Sequence, residues 1–126
     1  MAKETVSIDL DASPDEAWAV VGDFHGIADW FPGIDSNRPE GDVRVLSMGT
    51  MEIREQLVER DEAARSLVYS IVGGVPVELH RATVTVSPRE GGSHVDWAVE
   101  IEPDAMLPIM TDTYQKALEA LEGKLS

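Results

Sequence analysis

Apolar and polar residues alternate with a period of two through Thr5-Val6-Ser7-Ile8-Asp9-Leu10, which predicts a half-buried strand. The pattern then breaks at Ser13-Pro14-Asp15-Glu16. Ser13 suits a helix N-cap, Pro14 the first helical position, and Glu16 the reciprocal place in a capping box. The predicted helix presents Trp18 and Val21 on one face and stops near Gly22, and a second short helix is expected over 27–31, broken by Pro32-Gly33.

From Asp35 onward the pattern is that of strands. An edge strand over 35–38, closed by Pro39 and Gly41, is followed by strands over 43–47, 51–59, 67–72, 77–86 and 94–101. Met48-Gly49, Asp61-Glu62-Ala63-Ala64, Gly73-Gly74 and Glu90-Gly91-Gly92 separate them. Connections this short join antiparallel neighbours, because parallel crossovers need a dozen or more residues.

The last segment, from Leu107 or Pro108, switches to helical spacing. Met110, Tyr114, Ala117, Leu121 and Leu125 recur every three or four positions, with Ile109 and Leu118 widening the stripe. A sheet with one apolar face must cover it, and this helix is the only element long enough. The predicted class is α+β over a single domain, 1–126. A curved antiparallel sheet of six to seven strands wraps the long C-terminal helix, with two short helices after the first strand.

The chain has 126 residues, enough for one domain that buries roughly two-thirds of its unfolded surface. No apolar run approaches the roughly 18 residues of a membrane span, and Met1-Ala2-Lys3-Glu4 carries no apolar signal core, so a cytoplasmic location is expected. No cysteine is present, which excludes disulfides, thiolate catalysis and cysteine-ligated zinc. The net charge of −14 argues against nucleic acid, whose binding rests on Lys and Arg contacts to phosphate, and against anionic membrane surfaces. Its simplest meaning is solubility.

The order of elements, with Ser13-Pro14-Asp15-Glu16-Ala17-Trp18, Trp30-Phe31-Pro32, the strand pair Glu52–Leu57 and Ala82–Val86, and Trp97 in the last strand, resembles the START-like or Bet v 1-like superfamily. This is also called the SRPBCC or polyketide cyclase/dehydrase group. The resemblance covers nearly the whole chain and implies a helix-grip fold with a cavity between sheet and C-terminal helix. The stretch from Asp23-Phe24-His25-Gly26 to Trp30-Phe31-Pro32 is similar to the branch that contains lachrymatory-factor-synthase-like proteins. In that enzyme an Arg and a Glu form the active pair, and by pattern Arg44 and Glu55 match them.

Glu55 is informative without the resemblance. Met51, Ile53, Glu55 and Leu57 share one face of a strand, so a carboxylate interrupts an apolar stripe. Burying it alone is far costlier than packing returns. Either a cation such as Arg44 pairs with it, or it is protonated, or a bulge turns it outward. Desolvation raises a carboxylate's pKa toward that of a working acid or base, but structural ion pairs occupy similar places. Arg44 falls opposite Val43 and Val45 and beside Leu46, and its planar fork suits a carboxylate or an enolate.

His80 shares a face with Ala82, Val84 and Val86 and is expected inside, more often as a hydrogen-bonded core residue than as a catalyst. His25 and His94 fall near turns and are expected in solvent. The resemblance makes Trp30 and Phe31 a lip over the cavity, with core packing as the simpler account. Met51, Tyr69, Trp97, Met106, Met110 and Tyr114 are expected to line the cavity or the core, Met being adaptable packing material. No histidines stand at ligand spacing, and no nucleophile elbow or phosphate loop occurs, so no metal and no cofactor are implied.

Three functions remain open. The first is a module, monomeric or homodimeric, that binds a small apolar or amphipathic ligand such as a lipid, polyketide or isoprenoid-like compound. The second is a cofactor-independent cyclase, dehydratase, isomerase or lyase, with Glu55 moving a proton and Arg44 stabilising negative charge. The third is a protein-interaction module with a filled core. A filled interior favours the third, an apolar cavity without ionisable groups the first, and a buried Glu–Arg pair the second.

Overall fold

A computed structural model describes residues 2–125. The first strand, β1 (Ala2–Leu10), starts earlier than its alternation suggests because it pairs along its whole length with the last strand. Helix α1 (Pro14–Val21) begins as its residues require. The Ser13 hydroxyl accepts the Glu16 N–H at 3.1 Å and the Glu16 carboxylate accepts the Ser13 N–H at 3.2 Å. The second helix is a 3-10 turn over Phe24–Asp29, starting three residues and ending two residues earlier than expected, so Trp30 caps it and Phe31 lies beyond it.

Six more strands follow: β2 (Ser36–Glu40), β3 (Val43–Met48), β4 (Met51–Asp61), β5 (Ser66–Gly73), β6 (Leu79–Arg89) and β7 (Gly92–Glu102). With β1 they form one antiparallel sheet in the order β1-β7-β6-β5-β4-β3-β2. Pro39, expected to end β2, lies inside it instead. β2 is an edge strand, so the missing N–H leaves no ladder position empty. β6 starts at Leu79 rather than Val77, because the Val77 N–H turns back to the Val75 carbonyl at 2.8 Å. Register shifts in β4 at Arg54/Glu55 and Leu57/Glu59 bend the sheet, as bulges do.

A short 3-10 turn (Asp104–Met106) leads into α2 (Leu107–Leu125). This helix buries Tyr114, Ala117, Leu118 and Leu121 and packs against β1 and β7. α1 closes over β6 and β7. The helices therefore cover one half of the concave face, and only the first turns of α2 overhang β3, β4 and β5. That asymmetry positions the site. No helix is long and apolar enough to cross a membrane among the described residues.

Candidate functional site

Where α2 overhangs the uncovered half of the sheet, a cavity of about 300 Å³ remains. Its sheet side is Leu46 and Met48 from β3, Ile53 and Glu55 from β4, and Tyr69 and Ile71 from β5. Met106, Ile109, Met110, Thr113 and Tyr114 form its helical side, and Ile27, Phe31 and Ile34 close one end. Met51 and Ile109, 47% and 59% exposed, mark the mouth. Glu55, Tyr69 and Tyr114 are buried and mark the inner end. A broader depression of about 470 Å³ lies outside, between α1 and β4. There Trp18 donates to Glu62 at 2.8 Å, and Arg60 bonds both Glu62 and the Gly22 carbonyl. It is the more open to solvent and its walls are the more polar, so the apolar cavity is the better candidate.

Arg44 and Glu55 are register partners across β3 and β4. The Arg44 Nε donates to Glu55 Oε1 at 2.8 Å, and Nη1 donates to the Phe24 carbonyl at 3.0 Å. The guanidinium lies 4.0 Å from the Phe24 ring centre and 4.7 Å from that of Tyr69, sandwiched between two aromatic faces. The bulge beside Glu55 does not turn it outward. Glu55 reaches the cavity wall and Arg44 does not, so the cation stands behind the carboxylate rather than beside a ligand. Direct stabilisation of a ligand's negative charge by Arg44, as the sequence suggested, therefore has no geometric basis.

Two further buried polar pairs back the inner end. β5 and β6 pair only from Ser66↔Thr85 to Tyr69↔Ala82 and then separate. Just past β5, Gly74 passes close against β4: its φ is +89°, and a Cβ there would meet the Glu52 carbonyl oxygen at 1.9 Å. The separation leaves the Ile71 N–H without a strand partner, and His80 Nδ1 accepts it at 3.1 Å. The other ring nitrogen, Nε2, lies 2.9 Å from the Tyr114 hydroxyl. Burial pushes the His80 pKa down to about 4. Trp97 stacks on Tyr114, with ring centres 4.2 Å apart and planes 8° apart, and its indole N–H donates to the Tyr69 hydroxyl at 3.1 Å. Burial raises the pKa of both tyrosines, and the nearby Glu55 charge adds to the shift.

Of the residues singled out in the sequence, Phe31, Met51, Glu55, Tyr69, Met106, Met110 and Tyr114 line the cavity. Trp30, His80 and Trp97 do not. Trp30 packs on Phe31 and Trp97, with ring centres 5.9 and 6.1 Å away, so it supports the wall rather than forming a lip. His80 and Trp97 reach the cavity only through the tyrosines they bond. Leu46, Ile53, Ile71 and Thr113 line the cavity as well. Strand alternation puts the first three on the faces of Arg44, Glu55 and Tyr69, and Thr113 follows Met110 by three, but nothing local marks those faces as cavity rather than core. His94, expected in solvent, bridges Asp9 at 2.6 Å and Asp96 at 3.0 Å on the outer face, and the Asp9 hydrogen bond raises its pKa. No group of three or more His, Asp or Glu among the described residues is placed to hold a metal ion.

A seven-stranded sheet gripping a terminal helix around an apolar pocket defines a ligand-cavity fold of the Bet v 1 type. Residues 1–126 match the family described as polyketide cyclase / dehydrase and lipid transport, and the chain belongs to it. MLP-like protein 423 of Arabidopsis thaliana is 28% identical over 118 residues, spanning 79% of this chain and 76% of the plant protein. The solved structure of XoxI from Bacillus cereus superposes with a TM-score of 0.93 at 27% identity, over 99% of this chain and 96% of that one. A protein from Thermobifida fusca gives 0.88 at 31% identity, over 99% and 93%. Ara h 8.0201 gives 0.79 at 19% identity over 98% and 97%, a likeness of fold alone.

Proposed function

We propose that the protein binds a small hydrophobic or amphipathic molecule, of lipid, polyketide or isoprenoid-like character, between β3–β5 and the first turns of α2. The supporting observation is the cavity itself: about 300 Å³, walled mostly by aliphatic, methionine and aromatic side chains, with its ionisable groups Glu55, Tyr69 and Tyr114 at the buried end. An apolar body fits the walls, and one polar atom of the ligand would face Glu55, Tyr69 and Tyr114. The same cavity counts against a module with a filled core. The net charge of −14 counts against a nucleic-acid partner. A cytoplasmic protein, acting as a monomer or homodimer, is the reading of the sequence for location and assembly.

One observation supports a second reading. Glu55 is an ionisable group on an otherwise apolar wall, held in place by Arg44 at 2.8 Å. The resemblance to the lachrymatory-factor-synthase-like branch attaches activity to such a pair. In a cofactor-independent cyclase, dehydratase, isomerase or lyase, Glu55 would carry the proton and Arg44 would act by orienting Glu55.

Native mass spectrometry of freshly purified protein tests the binding reading, together with titration by an environment-sensitive apolar dye. Stoichiometric uptake with little salt dependence is expected, because burial of apolar area sets the affinity. A protein that carries no small molecule and takes up no probe saturably would leave the reading without support.

A further inference from the structure

The two tyrosines at the buried end are held in one hydrogen-bonding sense. The Ile71 N–H can only donate, so the His80 Nδ1 that receives it is unprotonated. The ring proton of the neutral imidazole then sits on Nε2, and that nitrogen donates to the Tyr114 hydroxyl oxygen 2.9 Å away. The Trp97 indole is likewise a donor only, and the Tyr69 hydroxyl oxygen accepts from it at 3.1 Å. Each phenol thus accepts an N–H from behind and keeps its own O–H to give. The two hydroxyls also interact with each other. Even if one donates to its neighbour, the other O–H is left for the cavity.

We propose that the inner end of the cavity is a carbonyl-binding site, where the Tyr69–Tyr114 hydroxyl pair gives one O–H to an uncharged ligand oxygen and His80 and Trp97 are positioning residues. This rests on the reading that the cavity takes an apolar ligand, and it narrows the class. Glu55 lies on the same wall, and the nearest cation, Arg44, is committed to Glu55 and the Phe24 carbonyl. A ligand carboxylate would therefore meet a like charge with no counter-ion. A ketone, aldehyde or ester oxygen presents two lone pairs and no charge. A hydroxyl elsewhere on the same molecule could donate to Glu55. The stacking of Trp97 on Tyr114 fixes the ring that carries one donor.

Three probes of equal carbon count separate the possibilities: methyl heptyl ketone, nonane and nonanoate, each titrated against the full chain. The ketone is expected to bind about tenfold tighter than nonane, the effect of one well-made hydrogen bond, with nonanoate weakest. Its infrared carbonyl stretch should lie below that of the ketone in alkane solution. Tyr69→Phe and Tyr114→Phe should each raise that frequency and weaken ketone binding while leaving nonane unaffected. His80→Leu should do the same, and His80→Gln, which can still accept from Ile71 and donate to Tyr114, should restore the wild-type stretch. If a variant fails to fold, the ranking of the three probes on the wild-type chain still decides. Equal affinity for ketone and nonane, or an unshifted stretch, overturns the carbonyl site and leaves the apolar pocket standing. No saturable binding of any probe overturns both.

Discussion

Arg44 and Glu55 face each other across β3 and β4, 2.8 Å apart from Nε to Oε1, with side chains only 4% and 9% exposed. Each satisfies what the other could not leave bare. The aromatic faces of Phe24 and Tyr69 hold the guanidinium flat, and the Phe24 carbonyl accepts a hydrogen bond from its Nη1. The carboxylate is thereby delivered to the cavity wall in a fixed orientation.

Removing one partner strands the other in a dry interior. Arg44→Met and Glu55→Leu are each expected to destabilise the fold by about 3–5 kcal/mol, and the double substitution to recover much of that loss. Denaturant melts of the two single variants and the double variant measure this. Additive losses would mean that the pair does not act as a unit.

Glu55→Gln separates a binder from an enzyme. The side chain keeps nearly its size and still accepts from Arg44, so the variant should fold and retain its ligand. If Glu55 moves a proton, turnover of a substrate identified from the copurified ligand should fall about 100-fold or more. Unchanged turnover would remove Glu55 from the chemistry.

Truncation before Leu107 should abolish cooperative unfolding. α2 buries Tyr114, Ala117, Leu118 and Leu121, and without it the concave face of β1 and β7 is bare. Calorimetry of the shortened chain checks this, and a sharp two-state transition would contradict the helix's structural role.

His80 makes the protein acid-sensitive. Its folded pKa of about 4 lies below the ordinary value of 6.5, so between those limits only the unfolded chain takes up the proton. Stability should fall as pH drops from about 6.5 to 4, by on the order of 3 kcal/mol from this group. His80→Gln should flatten that part of the profile in chemical denaturation at pH 7 and pH 4.5. Parallel profiles would show that His80 carries none of the slope.

Most elements and one anomaly of polarity were legible in the chain because they are local properties. Period-two alternation placed Glu55 on the face of Met51, Ile53 and Leu57, helical spacing marked the buried side of α2, and Ser13-Pro14-Asp15-Glu16 marked a helix start. The Pro39 error arose because a proline's effect depends on whether its strand has a neighbour on both sides, and that is not written locally. The same limit explains the site. Arg44 meets Glu55 because the β3–β4 register aligns them, and the cavity exists because α2 crosses β1 and β7 and leaves β3–β5 half covered. His80 bonds Ile71 only because β5 and β6 part after Tyr69 and Ala82, nine residues apart in sequence at the bond they make possible. Periodicity says which face a residue occupies. Only the long-range packing of the sheet and helix decides what that face meets.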